Sequence, residues 1–198
     1  MRTEGSSLRH DPVSMPDARR AFAANPLAAF LATGFGSGLS PVMPGTAGSL
    51  VGLAIAWPLS LGFAALHVHG ASVGPVVGLL MSGLLVGLVG VGVSGPVCRA
   101  LGSEDPGCIV IDEIAGQLLA CAAVPLFWPY SSRWAEAAAW MGAFVLFRFF
   151  DIVKPGPIRA SQNLPGGWGV VVDDVLGGLA AAVVLAAMGW VASRAGWI

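Results

Sequence analysis

The chain has 198 residues, a formal net charge of -1 and a mean hydropathy of +0.78; 56% of its residues are hydrophobic and only 11% are charged. That length suits one domain with a real core, and that composition is a membrane protein's, since soluble domains carry roughly 25% charged residues. A near-neutral chain offers no basic surface to a phosphate backbone, which speaks against a nucleic-acid partner, and Cys98, Cys108 and Cys121 lack Cys-x-x-Cys or Cys/His spacing, which speaks against zinc.

Residues 1–26 are polar, with Arg2, Arg9, Arg19, Arg20 and Pro12, Pro16, Pro26, and contain no apolar h-region. They read as a flexible cytoplasmic arm, not a signal peptide, ahead of a membrane domain over 27–198. A short apolar run, Leu27 to Thr33, leads into Gly34-Phe-Gly-Ser-Gly-Leu-Ser-Pro-Val-Met-Pro-Gly-Thr-Ala-Gly-Ser-Leu50. So many Gly and Pro residues forbid a regular helix through Gly34–Gly45, and Thr46 is placed to N-cap the apolar helix that follows. A Gly-rich loop that opens a helix leaves backbone N–H groups aimed at one spot, suited to an anion such as phosphate, or it is simply a tight connection. It is not a P-loop, because no Gly-Lys-Ser/Thr follows.

Leu50 to Val68 and the Gly-rich Val73 to Val97 are each near or beyond the length of a spanning helix. A polar loop, Cys98 to Asp112, separates them from Ile114–Trp128 and Trp134–Phe150, which are short for full crossings and form either a spanning pair or a buried, re-entrant hairpin. The final apolar helix is expected over Val175–Ala192. The fold class is therefore all-α, a multihelical integral membrane protein with about 3–5 membrane helices.

If the first two long helices go out and return, the Gly-rich loop and the Asp105–Glu113 loop share one face, and if the two short runs both cross, or neither does, the segment Asp151–Asp174 lies on it too. Arg2, Arg9, Arg19, Arg20, Arg99, Arg148, Lys154 and Arg159 then fall on that face, with Arg133 and Arg194 opposite. The positive-inside rule makes it cytoplasmic.

Carboxylates gather on the same face. Asp112 and Glu113 stand side by side where one apolar segment ends and the next begins, as a solvated helix start or as a site, because acids at a membrane edge are costly unless paired or functional. Arg148, Asp151 and Lys154 are spaced i, i+3, i+6, near one helix face, and Lys154 precedes Pro155, so the helix should stop there; Pro157 should keep the next residues extended. This is either a structural ion-pair ladder or, with Arg159, a cationic pocket for an anionic ligand. Asp173 and Asp174 form a second doublet, again where a Gly-bearing loop meets an apolar helix, and one of them can serve as an N-cap.

Two acidic doublets plus Asp151 repel strongly unless positive charge sits among them. An all-oxygen set without His or Cys suits Mg²⁺. His67 and His69 are assigned to the opposite face and His10 to the arm, so a His general base is not expected. The pattern implies metal-assisted chemistry on a phosphate-bearing lipid. Neither Cys-x5-Arg nor Asp-x-Asp is present for a phosphoenzyme of those types. The competing readings are a divalent-cation carrier, which would put its polar groups near the bilayer midplane, and a non-catalytic anionic-lipid-binding scaffold.

Taken together, Gly34-Phe-Gly-Ser-Gly-Leu-Ser-Pro with Pro44-Gly-Thr-Ala-Gly-Ser-Leu50, Asp105-Pro-Gly with Ile111-Asp-Glu113, Phe147-Arg-Phe-Phe-Asp151 with Lys154-Pro and Pro157-Ile-Arg159, and Gly166-Gly-Trp-Gly with Asp173-Asp174 closely resemble the phosphatidylglycerophosphatase A family. The resemblance runs in order from about Asn25 to the C-terminal helix. It implies a multihelical Mg²⁺-dependent lipid phosphatase of the bacterial inner membrane that converts phosphatidylglycerophosphate to phosphatidylglycerol and phosphate. Position by position, it marks Asp112, Glu113, Asp173 and Asp174 as catalytic or metal-site acids and Asp151 as a further acid of the site. Lys154, Arg148 and Arg159 would bind phosphate, and Thr46 and Ser49 match the Gly-Thr-x-Gly-Ser block. Cys108 departs from the polar or acidic residue expected there, and Gly156 from a bulkier one.

Overall fold

The computed structural model describes residues 15–66, 73–130 and 132–196. His10, His67, His69 and residues 1–14 of the arm lie outside them. Among the described residues there is no strand. The helices are α1 (Met15–Ala24), α2 (Pro26–Ala32), α3 (Pro44–Leu66), α4 (Val73–Leu101), α5 (Ile111–Cys121), α6 (Arg133–Val153), α7 (Pro157–Ser161) and α8 (Gly167–Arg194), with 3-10 turns at Ser37–Leu39 and Val124–Tyr130. Within the arm, residues 15–24 form α1, which lies against α2 and α4 with Ala18 and Ala21 buried.

Three helices, α3, α4 and α8, are long and apolar enough to cross a membrane. They close around α5, every residue of which is buried. Stripes of small residues allow that approach. Gly48, Gly52, Ala56 and Ser60 recur every fourth residue along the buried face of α3, and Gly83, Gly87, Gly90 and Ser94 line that of α4. A Cβ on Gly52 would stand 2.8 Å from the Gln117 side chain, and one on Gly83 2.7 Å from Leu119. On α8, Gly178 lies so close to Gly116 of α5 that a Cβ would enter the Gly116 backbone. Backbone-to-backbone packing of this kind is how helices associate where lipid removes the ordinary hydrophobic drive.

Of the two alternatives for the third apolar run, the buried one describes Ile111–Cys121, which the surrounding helices enclose. Pro125, four residues past Cys121, removes an N–H and clashes with the preceding turn, so the α-helix ends and a 3-10 stretch carries on. Ile111 packs beside Gly90, whereas Phe127 meets Gly189 near the other end of α8. The run therefore passes along the bundle, with α5 inside it, and α6 brings the chain back.

Helix ends account for three differences from the sequence-based expectations. Pro44 opens α3, its missing N–H costing nothing in a first turn, so Thr46 lies inside that turn and is not the N-cap. Pro157 opens the short α7 in the same way and is not extended. α8 starts at Gly167, two turns before Val175, which puts Asp173 and Asp174 within the helix and not at its cap. The stop after α6 is as expected: Lys154, barred from the α region by Pro155, takes a left-handed conformation at φ 45° and caps Val153.

Candidate active site

The N-termini of α3, α5 and α8 and the C-terminus of α6 converge at one end of the bundle, and each brings the chemistry of its sequence block. Asp112 and Glu113 occupy the first turn of α5, and Asp173 and Asp174 the second turn of α8. All four are buried, with 2–9% of their surface exposed. The solvated-helix-start reading of Asp112 and Glu113 is thereby corrected: α5 is sheathed by α3, α4, α6 and α8.

Asp112, Glu113 and Asp174 bring one carboxylate oxygen each to within 4.8 Å of one another. Asp112 Oδ1 accepts the Glu113 N–H at 3.0 Å, whereas Glu113 Oε2 is buried with no hydrogen-bond partner. Three buried carboxylates at this separation repel one another, and one oxygen aimed at nothing is the mark of a missing positive partner. These donors fit a hard divalent cation.

Asp173 points differently. It pairs with Lys154 Nζ and accepts from Gln162 Nε2 at 3.1 Å through the same Oδ2, leaving its Oδ1 buried and unpartnered. Lys154 also lies 3.7 Å from Asp151. Burial alone would lower the Lys154 ammonium pKa, but Asp174, Asp173 and Asp151 around it outweigh that and hold it above the usual lysine range. Lys154 is therefore charged at any physiological pH.

Arg148 makes the second cationic contact. Its Nη1 meets Asp151 Oδ2 at 2.6 Å and donates to Ser49 Oγ at 3.3 Å, and Ser49 in turn donates to Gly45 O at 2.9 Å. Ser49 thus fastens the start of α3 to α6. A Cβ at Gly45 would collide with Glu113 Oε1, the free end of that side chain, and would also stand 3.3 Å from Arg148 Nη1. Ala47 N–H bonds back to Met43 O, while the N–H groups of Gly45 and Thr46 have no partner among the described residues. Thr46 itself is half-buried and makes no side-chain hydrogen bond among the described residues.

The structure thus brings Asp112, Glu113, Asp151, Asp173, Asp174, Ser49, Arg148 and Lys154 into one contiguous network. Arg159 stands apart: it is exposed on α7, outside the ion-pair ladder, and lines a groove of about 460 Å³ with Val153, Lys154, Pro155, Gly156, Ala160 and Asn163. Two contributors were not singled out from sequence. Gln162 carries no local signal, because only the return of α8 beside α7 puts it against Asp173. Gly45 was read for backbone freedom, whereas its role here is to leave room for Glu113.

Comparison with known proteins gives the same answer as the motifs. The family described as Phosphatidylglycerophosphatase A matches residues 30–189. The chain is 37% identical over 167 residues to a Bacteroides thetaiotaomicron protein named "Putative phosphatidylinositol-3-phosphatase", covering 83% of this chain and 95% of that one. It is 39% identical over 160 residues to phosphatidylglycerophosphatase A of Haemophilus influenzae (80% and 86% covered) and 36% over 156 residues to that of Escherichia coli (78% and 79%). No solved structure matches. With the match spanning most of its length, the chain belongs to the phosphatidylglycerophosphatase A family of phosphatases.

Proposed function

We propose that this protein hydrolyses phosphatidylglycerophosphate to phosphatidylglycerol and phosphate in a Mg²⁺-dependent reaction at the cytoplasmic face of a bacterial inner membrane. The observation that carries the reading is the pooling of Asp112, Glu113 and Asp174 beside Lys154 and Arg148 at one end of a bundle with three membrane-length helices. Asp112, Glu113 and Asp174 would hold the metal, with Asp173 adjacent. Bound there, Mg²⁺ supplies Lewis-acid polarisation of a phosphoryl oxygen and a lowered pKa for a bound water.

The chain's own residues do the rest. Lys154, permanently charged, and Arg148, held rigidly between Ser49 and Asp151, neutralise the charge that builds on the phosphoryl oxygens. The partnerless N–H groups of Gly45 and Thr46 add donors on the α3 side. In the hydrolysis a water oxygen bonds to phosphorus, the bond from phosphorus to the glycerol oxygen breaks, and that oxygen leaves with a proton. Arg99, Arg148, Lys154 and Arg159 lie at the site end of the bundle and Arg133 and Arg194 at the other, which supports the cytoplasmic orientation.

A divalent-cation carrier fits less well, because the polar side chains cluster at one end of the long helices and not halfway along them. The test is phosphate release from phosphatidylglycerophosphate by the purified protein in detergent. Release is expected with Mg²⁺, and it should vanish with a chelator and in Asp112→Asn. No release by the folded protein at any Mg²⁺ concentration would refute the reading.

A further inference from the structure

The groove between the end of α6 and α7 is cationic and open, and of the hydrolytic network only Lys154 reaches it. Lys154 stands on its inner wall, already committed to Asp173, with Arg159 beyond it. Among the described residues Arg159 forms no ion pair, and an exposed guanidinium with its planar fork free is suited to a phosphate or phosphodiester. The groove carries no acidic residue of its own.

Its outer rim is apolar. Val153 lines the groove, and from it Phe149, Val145 and Met141 run back along α6 at intervals of four residues, each of the four about half exposed (44–55%). Residues four apart share one helix face. A single stripe therefore leads from the exposed apolar flank of α6 to two cations and on to the acid cluster. An anionic lipid lying along α6 would meet these features in that order: acyl chain on the stripe, phosphodiester at the mouth of the groove, headgroup terminus at the acids.

The lipid of the proposed reaction has two phosphates separated by a three-carbon glycerol, a phosphodiester next to the acyl chains and a terminal phosphomonoester. We propose that the two are bound by different cations: the reacting monoester by Lys154 and Arg148, and the phosphodiester by Arg159 in the α6–α7 groove. This rests on the reading of the protein as a phosphatidylglycerophosphate phosphatase. Arg159 then serves to distinguish a phosphodiester-bearing lipid from a bare phosphate, and takes no part in the bond cleavage.

The full chain in detergent micelles is titrated with phosphatidylglycerol, which has the diester and no monoester, and separately with inorganic phosphate, in the parent, Arg159→Gln and Arg159→Lys. Phosphatidylglycerol is expected to bind Arg159→Gln about tenfold more weakly than the parent, with most of the affinity regained in Arg159→Lys, while the inorganic phosphate titration stays the same in all three. Ala160→Glu, which introduces a negative charge at an exposed position of the same groove, should weaken phosphatidylglycerol to a similar degree and so provides an independent check. Equal phosphatidylglycerol affinity in the parent and Arg159→Gln overturns the proposal, as does a parallel loss of inorganic phosphate binding, which would place Arg159 at the monoester. If the parent binds phosphatidylglycerol through Arg159 but releases no phosphate from phosphatidylglycerophosphate, the hydrolytic reading fails and the diester groove stands.

Discussion

Gly45→Ala separates geometry from stability at this site. In the first turn of α3 the substitution is intrinsically favourable, by up to about 1 kcal/mol, because alanine loses less backbone entropy than glycine in a helix. The added Cβ, however, lands on Glu113 Oε1 with Arg148 Nη1 just beyond it. To reach ordinary van der Waals contact the carboxylate must retreat by on the order of 1 Å. That is cheap for the fold, since Glu113 can rotate, but not for a site in which such a displacement costs roughly 10²-fold, or about 2.7 kcal/mol of transition-state stabilisation. The expectation is phosphate release down about 100-fold, with thermal unfolding unchanged or slightly raised. Full activity in Gly45→Ala would show that the position of Glu113 does not matter, and lost activity together with lost stability would show that the effect is on folding.

Other perturbations read other parts of the structure. Asp112→Asn and Asp174→Asn should abolish phosphate release while raising the unfolding temperature in chelator by a few degrees, about 1 kcal/mol, because each removes repulsion among buried acids. In the parent, saturating Mg²⁺ at ~100 times its dissociation constant should add about 2.7 kcal/mol to stability, and calorimetry of Asp174→Asn should show most of that shift gone. Gly178→Ala, whose Cβ has only the Gly116 backbone to meet, should cost about 3 kcal/mol or more and show as poor recovery of folded protein; a stable Gly178→Ala would contradict the α5–α8 contact. Lys154 has a folded pKa above its unfolded value, so its stabilisation is complete below the unfolded value of about 10.4 and is lost as pH rises through the folded one. The difference in unfolding temperature between the parent and Lys154→Met should be constant from about pH 6 to 9 and shrink only in stronger alkali.

Hydropathy made α3, α4 and the body of α8 legible, because their apolar runs are long enough to cross a membrane. It could not place the apolar run that begins at Ile114, since such a run reads the same whether lipid or protein surrounds it. The start of α8 was hidden for a different reason. Gly166-Gly-Trp-Gly has the composition of a loop, yet Gly167 sits where a Cβ would enter the Val91 backbone, and this contact with α4 overrides the low helix propensity of glycine. The acids and most of the bases were identifiable from charge economy alone, as buried carboxylates need a purpose. Their partition was not: the left-handed turn at Lys154 sends Arg159 away from Arg148 and Asp151, and no spacing rule in the sequence encodes that turn's direction.

The electrostatics of the site bind its stability to its function. Five carboxylates, Asp112, Glu113, Asp151, Asp173 and Asp174, face two cations, Arg148 and Lys154, and four of the acids are buried. The fold offsets part of the imbalance with backbone. Asp112 and Glu113 lie in the first turn of α5, whose N-cap Val110 offers no side-chain acceptor, so their negative charge meets the positive end of that helix. The start of α3 abuts Glu113 at Gly45 and contributes a second such end. Fixed dipoles of this kind are worth at most about 2 kcal/mol each, less than the several kcal/mol that each desolvated charge costs. What remains is a deficit of positive charge centred on Asp112, Glu113 and Asp174, in a frame of glycine-packed helices too tight to relax around it. A divalent cation would relieve the deficit, and the rigidity that makes the acids costly to hold would also present them preorganised to it.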